Sequence, residues 1–328
     1  MSGEFETSRR AAFVGRGRAR RWLCAVVVVL ALWLVVSWVV AFRLTRRRRP
    51  SFPEPFPAAS SMTYESLRLT SRDGLGLGAW YVAGLDDAPA VLLLHGNGGS
   101  RWNCLGRAGM LTSVGYPVLM VSLRAHGDSA GDYNDIGYSA RLDVVAAVEY
   151  LERRRPGKPI VILGTSLGGA AAVFASGELG HRVRGYILES PYRDLRTAVW
   201  NRLHDTLPPV LDRVAYAGLL AVSPLVIPHI DRISPWRAIG DMPGDTPVLI
   251  LAGENDRRAR PEEAAALYDR VRDHGRLVFF KGADHLHMLD RDPERYRREI
   301  LAFLEPISGK AGLQARSSLI PGTPGPVP

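Results

Sequence analysis

Short apolar runs alternate with amphipathic stretches over most of the chain, from about residue 64 to about residue 305. The apolar runs are AVLLLHG, PVLMVSL, PIVILG, GYILES, PVLILAG and LVFFKG. Continuous runs of this length are typical of strands covered on both faces. The stretches between them have helical spacing, as in residues 141–154. The pattern predicts an α/β domain with a mostly parallel sheet flanked by helices.

Two further elements complete this domain, and one segment interrupts it. The segment LRLTSRDGLGLGAWYVA has strand-like runs on either side of Asp73-Gly74, which predicts a hairpin. The segment PERYRREILAFLE starts at Pro293 and predicts the last helix. Residues 191–240 contain apolar pieces and scattered prolines between two strands. They predict an inserted cap of short helices.

The cap has more apolar residues than a surface lid requires. Two interpretations stay open. These residues pack on one another and on the core, or they form a roof over the acyl group of a substrate. They are Val210, Leu211, Val214, Tyr216, Leu219, Leu220, Leu225, Val226 and Ile227.

Residues 22–42 are uncharged, and Ser37 is their one clearly polar residue. A helix of this length spans the ~30 Å hydrocarbon core of a bilayer, so we predict a transmembrane helix after a basic tail, 1–21. A cleaved signal peptide is the alternative, but the apolar run is longer than a usual signal sequence has. Arginines flank both ends in nearly equal number, so charge hardly decides the orientation. Insertion as a signal-anchor favours placing the domain on the non-cytoplasmic face.

Residues 43–63 are rich in arginine and proline and predict a stiff linker. Its basic run, Arg46–Arg49, is interpreted either as the flank of the membrane span or as a contact with anionic lipid. The last residues, 306–328, are rich in glycine, proline and serine and predict a disordered tail.

The net charge of +9 belongs to the first 49 residues, which hold eleven arginines and two glutamates. The rest of the chain has 31 basic and 31 acidic residues. A nucleic-acid-binding protein needs its basic surface on the folded domain. We therefore expect no nucleic acid as a partner, but a lipid bilayer contacted through residues 22–42. Cys24 and Cys104 lie in different parts of the chain and predict no internal disulfide.

The candidate chemistry centres on PIVILGTSLGGAAA, in which Gly164-Thr165-Ser166-Leu167-Gly168 matches G-x-S-x-G. A buried strand precedes the motif and a helix of small residues follows it. This is the strand–turn–helix context of a nucleophile elbow, in which the serine hydroxyl is exposed above the sheet. The alternative is an ordinary turn in which Ser166 caps the helix.

A serine hydroxyl becomes a nucleophile only with a base, which a carboxylate orients. In the fold that carries this elbow, the acid follows the serine along the chain and the histidine comes last. Asp256 follows the strand PVLILAG, and His285 follows the strand LVFFKG. We predict these two as the partners of Ser166, with Glu254 as the rival acid and His287 as the rival base.

The oxyanion of such a reaction needs two backbone donors. The amide of Leu167 is one prediction, and the amide of Asn97, in the loop after AVLLLHG, is the other. His95 and Gly96 belong to the same loop, and we interpret His95 as a structural hydrogen-bonding residue. Gly164 and Gly168 support the elbow, because side chains there would clash with neighbouring backbone.

Other polar residues are given structural roles. The His-x-His pair of DHLHMLD lacks a third and fourth ligand, so we expect no metal. Arg124, His126 and Asp128 are predicted to shape a loop near the pocket, and Asp143 is predicted to lie on the solvated face of a helix.

Six motifs, HGNGG, SLRAHGDSAG, GTSLGG, ESPYRDL, GENDRRARP and GADH, occur in the order and spacing of α/β-hydrolase fold serine hydrolases. The sequence most resembles the branch with serine-aminopeptidase-like and monoacylglycerol-lipase-like domains, which includes membrane-anchored members. The resemblance covers residues 64–305. It implies an eight-stranded sheet with a helical lid, a triad of Ser166, Asp256 and His285, and hydrolysis of a small-molecule ester, thioester or amide without a cofactor.

Three functions follow from these observations. We favour a serine hydrolase of carboxylic or acyl esters. A peptidase or amidase would use the same triad and cannot be separated from it by sequence. A membrane-tethered binding protein on a hydrolase fold is the third, because a fold alone does not establish an activity.

Overall fold

The computed structural model describes residues 3–47, 51–57 and 62–308, with side chains described from residue 20 onward. These residues contain one eight-stranded sheet with the order β1-β2-β4-β3-β5-β6-β7-β8. β1 and β2 form an antiparallel hairpin, β2 is antiparallel to β4, and the remaining neighbours are parallel. The strands are β1 Tyr64–Thr70, β2 Gly76–Val82, β3 Ala90–Leu94, β4 Val118–Val121, β5 Ile160–Thr165, β6 Gly185–Glu189, β7 Val248–Gly253 and β8 Gly275–Phe280.

Helices cover both faces of this sheet, which confirms the predicted α/β class. The predicted helix 141–154 is observed with the same bounds, and the cap consists of α5, α6 and α7. The helices are α1 Gly3–Leu44, α2 Leu105–Thr112, α3 Arg141–Arg154, α4 Leu167–Leu179, α5 Leu195–Thr206, α6 Leu211–Val226, α7 Pro235–Ala238, α8 Pro261–Tyr268, α9 Met288–Arg291 and α10 Pro293–Leu304.

The sheet separates two hydrophobic clusters, and this explains the continuous apolar runs. Successive strand residues point to opposite faces. Leu92 and Ile162 therefore belong to one cluster, with α3 and α4, and Leu93 and Leu163 belong to the other, with α2 and α10. All four side chains are buried, as strands between two helical layers require.

Asp143 on α3 corrects one prediction. Its side chain is fully buried, not solvated. It accepts hydrogen bonds from the Arg124 guanidinium at 2.7 Å and from the Arg124 backbone amide at 2.8 Å. Burial raises the pKa of the Asp143 carboxyl, and the bonds from Arg124 act against this rise. Helical spacing alone did not indicate that the loop after β4 covers this face of α3.

α1 is longer than the predicted transmembrane segment. It begins at Gly3, within the predicted basic tail, and ends at Leu44. Arginine and alanine, which are frequent in the tail, both favour a helix. Among the described residues, α1 contains the one helical stretch that is long and apolar enough to cross a membrane, Arg20–Leu44.

The described part of the predicted linker packs on the domain. Arg47 donates to the carbonyl oxygens of Gly127 at 3.0 Å and Gly131 at 2.9 Å. The buried carboxylate of Glu54 accepts from the Ser122 hydroxyl at 2.6 Å. Residues 48–50 and 58–61 lie outside the described part of the chain. The predicted disordered tail does too, except for a short 3-10 turn at Pro306–Ser308.

Candidate active site

Ser166 lies at the sharp turn between β5 and α4. Its φ is +50° and its ψ is −109°, a combination that non-glycine residues rarely adopt. Two backbone hydrogen bonds hold this conformation. The Ser166 amide donates to the carbonyl oxygen of Glu189 at 2.8 Å, and the Ser166 carbonyl accepts from Ala170 at 2.9 Å. The turn therefore belongs to both the sheet and the helix that follows.

The glycines of the motif allow the close packing of this turn. A Cβ atom built on Gly164 would lie 2.6 Å from the carbonyl carbon of Gly168. A Cβ on Gly168 would lie 2.6 Å from the carbonyl oxygen of Leu94, at the end of β3. Real Cβ atoms do not approach backbone atoms so closely. Only glycine at both positions lets α4 begin directly above the sheet.

Three polar side chains meet at this turn, from the ends of three strands. The Nε2 atom of His285 lies 2.9 Å from the hydroxyl oxygen of Ser166. The Nδ1 atom of the same ring lies 2.7 Å from Oδ2 of Asp256. The other carboxylate oxygen, Oδ1, accepts from the backbone amides of Arg258 at 2.8 Å and Ala259 at 2.9 Å. The two ring nitrogens of His285 thus contact Ser166 and Asp256, and the backbone amides hold the Asp256 carboxylate in place.

The rival residues lie elsewhere. Glu254 is exposed, and its described contact is a backbone bond to Phe280. The ring of His287 is 2.7 Å from the carboxylate of Asp284, and the His287 side chain is 63% exposed. Neither residue contacts Ser166 or His285 among the hydrogen bonds of the described residues.

Two backbone amides beside Ser166 are without a hydrogen-bond acceptor among the described residues, those of Asn97 and Leu167. Leu167 is the first residue of α4, so its amide belongs to the orphan donors of a helix N-terminus. The side-chain oxygen of Asn97 accepts a hydrogen bond from the side-chain nitrogen of Asn134 at 2.9 Å. In the same loop, the Cα of Gly96 is close enough that a Cβ would lie 3.7 Å from that of Ser166.

His95 is buried beneath this loop in a structural position. Its Nδ1 atom lies 2.8 Å from the carbonyl oxygen of Gly96, and Nε2 accepts from the amide of Leu123 at 3.0 Å. Burial lowers the pKa of His95 to about 3, and the nearby ring of His126 lowers it further. His126 in turn accepts from the amide of Gly98 at 3.1 Å. The neutral His95 ring and the His126 ring thus support the loop through these hydrogen bonds.

Sequence reasoning missed a buried ion pair behind the elbow. The carboxylate of Glu189, at the end of β6, accepts from Arg107 Nη2 at 2.6 Å, from the Thr165 hydroxyl at 2.8 Å, and from Tyr296. Burial alone would raise the pKa of Glu189, but the charge of Arg107 and the hydrogen bonds from Arg107, Tyr296 and Thr165 together lower it. A signal was present in the sequence, since a lone glutamate ends the otherwise apolar strand GYILE.

A cavity of about 440 Å³ opens over Ser166 and His285. It is lined by both polar and apolar groups and includes three arginines, Arg107, Arg202 and Arg258. Cys104 also contributes to its wall, and burial raises the pKa of that thiol to about 12. A thiol with so high a pKa is protonated near neutral pH and is not a thiolate nucleophile.

A profile of the Alpha/beta hydrolase family matches residues 91–299, which is more than half of the chain. The chain belongs to this family. The match runs from β3 to α10 and includes Ser166, Asp256 and His285. It agrees with the eight-stranded sheet and with the order of the motifs along the chain.

Similar proteins include esterases and lipases. An uncharacterized protein of Mycobacterium tuberculosis is 29% identical over 281 residues, which cover 82% of this chain and 89% of that protein. The lysophosphatidylserine lipase ABHD12 of Danio rerio is 28% identical over 204 residues, 58% of this chain and 49% of the lipase. A solved esterase of Pyrococcus furiosus has a TM-score of 0.64 at 25% identity, covering 79% of this chain and 97% of the esterase.

Proposed function

We propose that this protein is a membrane-anchored serine hydrolase that cleaves carboxylic ester bonds. The observation that carries the proposal is the continuous contact from Asp256 through His285 to the hydroxyl of Ser166, at 2.7 and 2.9 Å. A hydroxyl at this distance from an imidazole can lose its proton as it attacks a carbonyl carbon.

The proposed reaction has two halves. His285 takes the proton of Ser166 while the serine oxygen attacks the ester carbonyl, and Asp256 holds the ring and stabilises its positive charge. The amides of Asn97 and Leu167 donate to the oxyanion of the tetrahedral intermediate. His285 then gives its proton to the leaving alcohol, which produces an acyl-enzyme. Water activated by His285 releases the acid and restores the serine.

The ester as substrate is supported by the relatives. The fish relative is named as a lysophosphatidylserine lipase and the archaeal structure as an esterase. Membrane attachment is supported by α1, whose apolar stretch Arg20–Leu44 is long enough to span a bilayer. An enzyme anchored in this way would meet ester lipids at the bilayer surface.

The test is the hydrolysis of a short chromogenic ester, p-nitrophenyl acetate, by the full chain and by a Ser166→Ala variant. We expect Ser166→Ala to lower kcat by at least about 10⁴-fold. A fluorophosphonate probe should label the wild-type chain and not the variant. Ser190→Ala is the matched control, because Ser190 is also buried at a strand end. Full activity of Ser166→Ala would refute the proposal.

A further inference from the structure

The membrane helix α1 packs lengthwise against the cap helix α6. The indole nitrogen of Trp33 donates to the carbonyl oxygen of Val214 at 3.2 Å. One turn later, the buried side chain of Ser37 faces Gly218, where an added Cβ would lie 2.1 Å from the Ser37 hydroxyl. Small residues at such a crossing let two helices approach closely, as in membrane proteins. The one polar residue of the predicted span is therefore used to contact the cap.

The apolar residues of the cap divide into two groups. Val210, Leu211, Val214 and Leu225 lie at the start of α6 or within it, the helix that packs against α1, and they are exposed, between 47% and 76%. The second group turns inward, where Leu219, Val226 and Ile227 are buried. An exposed apolar surface next to a membrane helix fits the bilayer, not water. The buried inward group faces the interior of the protein, so its role has to be sought there.

The end of α1 is also fixed to the loop of the candidate oxyanion site. The carbonyl oxygen of Thr45 accepts from the backbone amide of Asn134 at 2.8 Å. The side-chain nitrogen of Asn134 then donates to the side chain of Asn97 at 2.9 Å. The Arg47 amide donates to the carbonyl oxygen of Asp132 at 2.8 Å. A chain of two hydrogen bonds thus connects the membrane helix to Asn97.

A second cavity lies between the end of α1 and the cap. Its walls are mostly apolar, and it reaches Asn97 and Arg202, which also line the cavity over Ser166. α1 contributes Ala41 and Leu44, and Thr45 directly follows the helix. Besides Arg202, the wall of this cavity includes Arg196, which forms an ion pair with Asp231 at 2.9 Å. The inward group of cap residues lines this space, with Leu219, Leu220, Val226, Ile227 and Ile230.

We propose that this second cavity holds the acyl chain of the ester, and that the membrane helix forms one of its walls. The proposal rests on the ester hydrolysis proposed above. Asn97 borders both cavities, so a carbonyl group held by its amide would direct the attached chain into the apolar one. Leu44, which lines this cavity, is 42% exposed at the end of the apolar segment. The helix is therefore a part of the substrate site as well as an anchor.

This site should control which acyl-chain length the enzyme prefers. Burial of each further methylene group in an apolar cavity strengthens binding by roughly a factor of four. The full-length wild-type chain, in detergent, should therefore have a higher kcat/KM for p-nitrophenyl octanoate than for p-nitrophenyl acetate. A bulky side chain on the α1 wall should remove this preference.

Ala41→Trp fills the cavity from the side of the membrane helix. We expect it to lower the octanoate-to-acetate ratio of kcat/KM by at least about tenfold, the equivalent of two buried methylene groups. Val40→Trp is the matched control on the same helix turn, because Val40 is 42% exposed and does not line the cavity. Its ratio should stay at the wild-type value. Leu220→Ala widens the cavity from the cap side and should shift the preference to the longer dodecanoate ester.

The results separate this inference from the proposed function. An unchanged ratio in an Ala41→Trp enzyme that still hydrolyses the acetate overturns the acyl site and leaves ester hydrolysis standing. If Ala41→Trp does not fold, Leu220→Ala decides, and an unchanged chain-length preference of that variant overturns the acyl site. An equal fall of the octanoate-to-acetate ratio in Ala41→Trp and Val40→Trp also contradicts the acyl site, since a general disturbance of the helix would then explain the effect. A wild-type chain that cleaves neither ester refutes both proposals.

Discussion

Arg107 and Glu189 form a buried ion pair behind the turn at Ser166, with Arg107 Nη2 2.6 Å from Glu189 Oε2 and Nε 2.9 Å from Oε1. The Glu189 carbonyl oxygen also accepts from the amide of Ser166, and its carboxylate accepts from Thr165. The pair therefore connects α2 to the two strands that support the elbow. Loss of this ion pair should therefore lower the stability of the protein and disturb the conformation of the turn at Ser166.

Glu189→Gln should lower the free energy of unfolding by roughly 3–5 kcal/mol, because it leaves the charge of Arg107 buried without a partner. The midpoint of thermal unfolding measures this change. The double variant Glu189→Leu, Arg107→Met should be less destabilised than either single variant, since no charge then stays buried. A double variant as unstable as the sum of the two singles would contradict this account of the pair.

Asp256→Asn should lower kcat about 10⁴-fold while leaving the fold intact, because an amide favours the wrong tautomer of His285. Steady-state hydrolysis of p-nitrophenyl acetate measures the loss. Glu254→Gln serves as the control two residues earlier, on an exposed side chain, and should keep kcat near the wild-type value. If the Glu254 variant were the inactive one, the assignment of the acid would be wrong.

Gly218→Val should destabilise the contact between the cap and α1 by about 1–3 kcal/mol, as overpacking does elsewhere. The nearest atom is the Ser37 hydroxyl, at 2.1 Å from the added Cβ. Ala217→Val introduces the same side chain at an exposed neighbouring position and should change stability only slightly, because Val has a slightly lower helix propensity than Ala and meets no close neighbour there. Ser37→Ala should restore part of the lost thermal stability of Gly218→Val, and its failure to do so would argue against this helix contact.

His95 should make the protein less stable as the pH falls. Its pKa is about 3 in the folded chain, where burial is the main cause, against about 6.5 in an unfolded chain. Between these values the unfolded chain binds more protons, so the free energy of unfolding falls by up to about 1.4 kcal/mol per pH unit. A His95→Asn variant cannot titrate there. The stability advantage of the wild-type chain over this variant should therefore shrink from pH 6.5 downwards, and a constant difference would contradict the argument.

Strand ends were the most informative feature of the sequence. The runs PIVILG, PVLILAG and LVFFKG predicted three buried parallel strands, and the residues just after them, Ser166, Asp256 and His285, lie within hydrogen-bonding distance in the structure. This was predictable because parallel strands all end at one edge of a sheet. The glycines around Ser166 also predicted the tight turn, since close backbone contact at Gly164 and Gly168 excludes other side chains.

Pairings between distant segments could not be predicted. Asp143 appeared solvated because helical spacing describes only one helix, yet Arg124 from another segment covers it. Residues 43–63 were interpreted as a spacer from composition, but Arg47 and Glu54 lie against the domain. In each case the partner belongs to a different segment, 19 to 80 residues away in the chain, and no local pattern identifies it.

The sequence by itself determined the α/β architecture, the tight turn at Ser166 with its glycines, the order of Ser166, Asp256 and His285 along the chain, and the apolar segment near the N-terminus. These depend on local periodicity and on short-range steric limits, which neighbouring residues specify. Only the tertiary structure decided that Ser37 contacts Gly218, that Glu189 pairs with Arg107, and that α1 and the cap enclose a second cavity reaching Asn97. Such contacts join segments up to nearly two hundred residues apart along the chain, and their energy comes from complementary shape and charge that exist only once the elements have packed.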